Sequence, residues 1–352
     1  MFNSYGFDHV IIETPEERAE KQRRLKKHFS RLFLALFVYV VASQFISIAV
    51  YLIAPLIVGE EKYELFLNNT TASLIISSVV QYVIAFPIFL AIACPAMKAE
   101  KKERKKLSPK DFFLVLCIAQ LGMYVGNMIG TTLNAFIGSL TGRLPGNIVD
   151  TIVSEVPIWL ILVFAVVIAP IVEEIMFRKV LIDRLSVFGE HIAIVFSSVA
   201  FGLMHQNLYQ FFYAALIGIV LGYIYTVTRD VKYTIALHMI INFMGSIVAV
   251  PVNDALVTFE SILNSAQLGE PIMLAELLLS GSIVLIYSTV QSGLVVGGAI
   301  ALTNGIQRRK IRISKDKEIY LPDHEIYKLG AGNTGAILFI AMTLIFTFLN
   351  FL

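Results

Sequence analysis

Two adjacent carboxylates and an arginine stand where a lipid-facing helix has no use for them. The run Ala169-Pro170-Ile171-Val172-Glu173-Glu174-Ile175-Met176-Phe177-Arg178 closes an otherwise apolar stretch, and a charge at mid-bilayer costs about 2.5–3.5 kcal/mol on insertion scales. Helical geometry separates the two glutamates. Glu174 and Arg178 are four residues apart, share a face and can pair. Glu173 is turned about 100° away around the helix, and its own i+4 neighbour is the apolar Phe177. It is left without a cation, as a general base would be. Read alone, the triplet also suits the interfacial end of a span, because Lys179, Asp183 and Arg184 follow closely.

Two later stretches bring further polar groups into apolar surroundings. Phe201-Gly202-Leu203-Met204-His205 carries a histidine at the end of one stretch, and Ala236-Leu237-His238-Met239-Ile240-Ile241-Asn242 places His238 and Asn242 on one helix face. A single histidine in a span more often packs or hydrogen-bonds than catalyses. Two histidines, an asparagine and an unpaired glutamate together point to one pocket, because polar side chains in spans face the bundle interior or a wet cavity. Helical rise puts Glu173 about 15 Å from Asp183, His205 about 22 Å from Glu190, and His238 about 9 Å from Lys232. These depths predict a site in the half of the membrane nearer the basic loops, with tilted or broken helices closing the spread.

The elements that must position these residues are transmembrane helices. Of the 352 residues, 57% are hydrophobic and 15% charged, against about 45–50% and 25% in soluble domains, and the mean hydropathy is +0.75. We expect an all-α, polytopic transmembrane bundle of about 8–9 spans, near 32–58, 72–97, 112–138, 156–184, 190–206, 208–228, 232–252, 276–303 and 334–352. The organisation expected is a basic tail over 1–31, N-terminal transmembrane helices over 32–138, a helical core over 156–252 carrying the polar residues, and C-terminal helices over 276–352 with a basic loop at 304–333. Thr14-Pro15-Glu16-Glu17 is a helix start, with Thr14 as cap and Glu17 completing a capping box. With the N-terminus inside, 26 of the 28 lysines and arginines fall in inner segments; Lys62 and Arg143 are the exceptions. That asymmetry predicts a cytoplasmic N-terminus, in a multi-pass protein of the cell membrane. The outer loop 251–275 holds no lysine or arginine, and the Asn68 and Asn69 sequons also fall outside. Gly122/Gly126/Gly130, Gly218/Gly222 and Gly293/Gly297 have the spacing of close helix packing. A net charge of +2 gives no support to nucleic-acid binding, and Cys94 and Cys117, both in apolar stretches, do not form a disulfide framework.

Glu-Glu-x-x-x-Arg, Phe-x-x-x-His and His-x-x-x-Asn, in that order over residues 156–250, resemble the motif set of the CPBP (CAAX protease and bacteriocin-processing, Abi) intramembrane proteases, which include the type II CAAX prenyl endopeptidases. The resemblance implies an endopeptidase that hydrolyses a peptide bond near the cytoplasmic membrane face, acting on a peptide or protein substrate, lipidated in the prenyl-processing members, within membrane lipid. It implies that Glu173 and His205 activate the attacking water and that His238 and Asn242 stabilise the oxyanion. Glu174 and Arg178 would hold the architecture, and Phe201 would shape the pocket. If a divalent metal such as zinc binds, Glu173, His205 and His238 are its expected ligands, although no His-Glu-x-x-His helix is present. No Gly-x-Ser-x-Gly motif supports a serine mechanism. Two other classes stay open on the residues: a proton-coupled transporter, which often shows inverted repeats not found here, and a non-enzymatic membrane scaffold or immunity protein.

Overall fold

A computed structural model describes residues 14–59, 69–100, 102–143, 148–268, 271–314 and 317–351. Among them all regular structure is helical, without a strand. The first thirteen residues of the basic tail, Lys62 and Asn68 lie outside the described residues.

Local chemistry sets the helix starts. α1 (Pro15–Val58) opens with the expected capping box: Thr14 accepts from the Glu17 amide, and Glu17 reaches back to the Thr14 amide at 2.8 Å. α2 (Thr70–Ala93) is capped by Asn69, one of the sequon residues, and α3 (Pro109–Thr141) by Ser108 with Pro109 in the first turn. α4 (Ile148–Glu155) leads into α5 (Ile158–Phe188), which carries both glutamates. α6 (Glu190–Met204) and α7 (Leu208–Thr228) form a hairpin, and Asn207 caps the second arm. α8 (Val231–Gly245), α9 (Ala249–Gln267), α10 (Leu274–Gln307), α11 (Asp323–Ala331) and α12 (Thr334–Leu349) complete the bundle.

Among the described residues, seven helical segments are long and apolar enough to cross a bilayer, with α8 and α9 together making one of them, or eight if the bent pair α11–α12 counts as one span. The expected span at 190–206 is the main difference. α6 has 15 residues, about 22 Å of rise, which falls short of a hydrocarbon core of about 30 Å. The expected outer loop at 251–275 is largely the helix α9, running on from α8 after a turn, and the loop at 304–333 contains α11. Large apolar side chains such as Phe45, Leu56, Leu285 and Ile286 stand exposed, as lipid-facing residues do.

Glycines set the closest approaches. A Cβ on Gly126 would meet the Tyr213 backbone and one on Gly130 the Tyr209 carbonyl, so α3 and α7 touch nearly backbone to backbone. Gly218 lies against Ser198 across the α6–α7 hairpin, as its spacing predicts. Gly293 has nothing within 4 Å, and its neighbour in the motif, Gly297, makes only ordinary contact with Cys117. The tight contact on α10 is instead Gly298 against the Cys117 carbonyl.

The basic segments gather at one end of the bundle. Glu190 binds Lys102 at 2.9 Å and Arg229 at 2.5 Å, and its second oxygen accepts from the Ser314 amide. Asp183 takes Lys98, Lys179 and the Tyr225 hydroxyl. Arg184 donates to the carbonyls of Ala93, Cys94 and Val180, so α2 ends on a cation that suits its dipole. Arg18 reaches Glu325. Above this basic end lies an aromatic layer in which Phe29 stacks on Phe188, with centroids 4.6 Å apart, and Phe196 and Phe33 pack alongside.

Candidate active site

Pro170 shapes the helix that carries the glutamates. It lacks an amide hydrogen and cannot continue the helical ladder. The preceding turn, Leu162–Ile168, widens into π-helix, in which each carbonyl looks five residues ahead, as Phe164 does to the amide of Ala169. The next carbonyl in that register, Ala165, faces Pro170 and has no donor there. Asn242 of α8 supplies one: its Nδ2 donates to the Ala165 carbonyl at 2.8 Å. One amide hydrogen of Asn242 thus mends the gap left by the proline and ties α8 to α5 two turns before Glu173.

The two glutamates then diverge as their spacing predicts. Glu174 is fully buried, and its Oε2 lies 3.0 Å from Nε of the equally buried Arg178. Its Oε1 lies 3.1 Å from Nδ1 of His238, and Thr234, one turn earlier on α8, adjoins the same carboxylate. The guanidinium sits 4.6 Å over the Phe201 ring. Its Nη1 and Nη2 meet no hydrogen-bond acceptor among the described residues, so the aromatic face and the single carboxylate carry its charge. Glu173 instead keeps 24% of its side chain exposed, and among the described residues its carboxylate has one ion-pair contact within 4 Å, Nε2 of His238 at 3.7 Å.

Phe201 is the hub between the two histidines. Its ring lies 5.0 Å from that of His205 and 5.7 Å from that of His238, edge to face in both cases. His205 closes α6, and its Nδ1 lies 2.9 Å from the Phe201 carbonyl. A carbonyl only accepts, so Nδ1 carries the proton and Nε2 is the basic nitrogen. Glu173 and His205 both line a cavity of about 640 Å³. Glu174 and His238 sit behind its wall, and Asn242 is turned toward Ala165. Of the six residues named from sequence, the structure therefore brings Glu173, Glu174, Arg178, His205 and His238 into one cluster and sets Asn242 one turn away.

Residues 155–244 match the family described as type II CAAX prenyl endopeptidase, Rce1-like. This Rce1-like segment spans about a quarter of the chain and contains all six residues. No curated protein and no solved structure matches the chain.

Among the described residues, no three His, Cys, Asp or Glu side chains are grouped to hold an ion. His205 gives Nδ1 to a backbone carbonyl and His238 gives Nδ1 to Glu174, leaving the Nε2 of each ring for the site. Several cavity residues come from outside the Rce1-like segment and carry no motif: Tyr39 and Gln44 on α1, Gln81 on α2, Asn134 on α3 and Asn350 after α12. Polar residues in apolar stretches were the one signal for them.

The cavity also has a direction. α6 starts and α7 ends at the basic end, so the loop His205–Asn207 that joins them lies at the far end of that hairpin. The cavity floor, toward the basic end, is Met176, Phe177 and Val40, all nearly inaccessible. Its mouth lies among Gln206, Gln210, Thr151 and Asn350. The opening is away from the basic loops.

Proposed function

We propose that this protein is an intramembrane endopeptidase that hydrolyses a peptide bond with water activated by Glu173 and His205. The observation that carries the reading is the contrast inside the Glu-Glu pair: Glu174 is closed into an ion pair with Arg178, while Glu173 stands at the cavity beside His205 with no lysine or arginine. A carboxylate and a basic Nε2 at one cavity can take a proton from water as its oxygen attacks the peptide carbonyl. His238 gives its Nδ1–H to Glu174 and turns Nε2 toward Glu173, so it donates to the oxyanion from Nε2 only as the imidazolium, after taking up a proton. The proton passes to the departing amine as the C–N bond breaks, leaving one new carboxylate and one new amine. Asn242 acts by holding α5 through Ala165. We place the basic end, with the N-terminal tail, in the cytoplasm of a cell that carries the protein in its plasma membrane, on the strength of the lysine and arginine distribution.

The test is proteolysis by purified full-length protein in lipid, using a fluorogenic peptide library with and without a lipidated cysteine. Wild type is compared with Glu173→Gln and His205→Ala, matched for folding by thermal melting. Removing a general base costs about 10²–10⁴-fold, so cleavage falls by at least about 100-fold in both variants. Cleavage unchanged in both would overturn the assignment.

A further inference from the structure

Asn134 is the polar residue whose state the fold leaves unexplained. It lies on α3, outside the Rce1-like segment, has no accessible surface, and lines the same cavity as Glu173 and His205. Its Nδ2 donates to the Gly130 carbonyl at 2.9 Å, one turn back. Its Oδ1 has no hydrogen-bond partner among the described residues. Leaving a buried acceptor unpaired is unfavourable, by about 1–3 kcal/mol, and a ligand N–H at the cavity would relieve it. The neighbours share its chemistry. Gln44 donates to Gln206 at 3.0 Å, and Asn350 donates to the Gln206 carbonyl at 2.9 Å. Gln206 itself has φ +51°, a conformation that few residues other than glycine adopt, and its side chain and backbone are held by these two amides. No lysine, arginine or aspartate lines the cavity among the described residues. Apart from Glu173 and His205, the lining is neutral, and its amides offer donors and acceptors for peptide backbone but no cation for an anionic head group.

We propose that Asn134 accepts a backbone N–H of the substrate, and that the substrate is an uncharged, extended peptide segment entering through the amide-lined mouth opposite the basic end. Asn134 lies about 38 Å along α3 from Pro109, and Pro109 follows Lys105, whose amide bonds Thr228 at the basic end. If the basic end faces the cytoplasm, the peptide arrives from the extracytoplasmic side. The inference rests on the proteolytic reading for its substrate and on the fold alone for its direction, and the two are tested separately.

Direction is tested by labelling with a membrane-impermeant maleimide, in a Cys94→Ala, Cys117→Ala background. Gln210→Cys and Asn350→Cys report the mouth and Arg312→Cys the basic end, in intact cells and in inside-out vesicles. Reaction of the mouth positions from outside and of Arg312→Cys only from inside is the expected result. Reaction of both sets from the same face, or no reaction at either mouth position, overturns the route whether or not the protein cleaves peptides. The Asn134 contact is tested with an uncharged peptide cleaved in the library. Asn134→Ala raises KM by about 3–10-fold with kcat nearly kept, as loss of one hydrogen bond would. N-methylation of the partnering amide in the peptide raises KM to the same extent, and adds nothing further in the variant. An unchanged KM in Asn134→Ala, or a fall confined to kcat, overturns the contact.

Discussion

Two carboxylates, one buried and one half-buried, show how differently one side chain can be used in this bundle. Glu190, at the basic end, meets two cations and a backbone amide, and each of its oxygens is engaged. Glu173, on the other side of the aromatic layer, meets no lysine or arginine within 4 Å among the described residues and stands at a cavity. The first ties loops 98–110, 186–190, 229–232 and 312–319 into one cap. The second is left incompletely satisfied beside a neighbour, Glu174, that has taken the local arginine for itself. A saturated carboxylate holds architecture, and an unsaturated one held next to a basic histidine nitrogen is available for proton transfer.

The comparison breaks most visibly at Arg178. Removing one partner of a buried pair leaves the other charge uncompensated, at about 3–5 kcal/mol. Arg178→Met should lower the melting temperature sharply in lipid or detergent, while the double variant Glu174→Gln, Arg178→Met recovers most of the loss. Equal destabilisation of the single and double variants would mean that the guanidinium acts through its stacking on Phe201 rather than through Glu174. Glu173→Gln is the opposite case. Melting should be unchanged or slightly higher, and peptide cleavage should fall at least about 100-fold, so that stability and activity separate at adjacent residues.

Glu190→Gln sharpens the contrast from the other end. It keeps a hydrogen-bonding group but removes the charge between Lys102 and Arg229. A loss of about 1–3 kcal/mol is expected from weakened charge-assisted hydrogen bonds, read by thermal melting, with kcat and KM on a cleaved peptide nearly kept. A fall in kcat as large as that in Glu173→Gln would show that the cap and the cavity are not independent.

Sequence spacing exposed this contrast in part. Glu174 and Arg178 pair because i and i+4 share a helix face, and Glu173 stays apart for the same reason. The capping box at Thr14 and Glu17 and the gathering of basic segments were equally legible, since both depend on local residue type. The span count was less so. Hydropathy registers the apolar composition of 190–206, but a 15-residue helix can be apolar because it is enclosed by protein, and it carries His205 only part of the way across. Asn134, Gln44 and Asn350 were not legible at all as members of the site. They come from helices at both ends of the chain, and only packing brings them to Glu173. Asn242 lay between these cases: its face was predicted, but its partner, a carbonyl left free by Pro170, depends on a π-turn that spacing does not announce.

That partner gives the smallest and most specific expectation. Asn242→Ala removes the donor to the Ala165 carbonyl and leaves a partly buried acceptor unpaired, at about 1 kcal/mol or somewhat more. If the asparagine mends the gap made by Pro170, restoring the missing amide should make it dispensable. In a Pro170→Ala background, α5 can close the turn with its own N–H, and Asn242→Ala should then cost less than it does in the wild-type chain. The two substitutions would show a coupling of about 0.5–1 kcal/mol in melting experiments, within the range for residues that share a partner. Strict additivity would mean that Asn242 acts elsewhere. A loss of kcat from Asn242→Ala that Pro170→Ala cannot rescue would point to direct contact with the reacting peptide, and would move Asn242 from the group that positions Glu173 to the group that touches substrate.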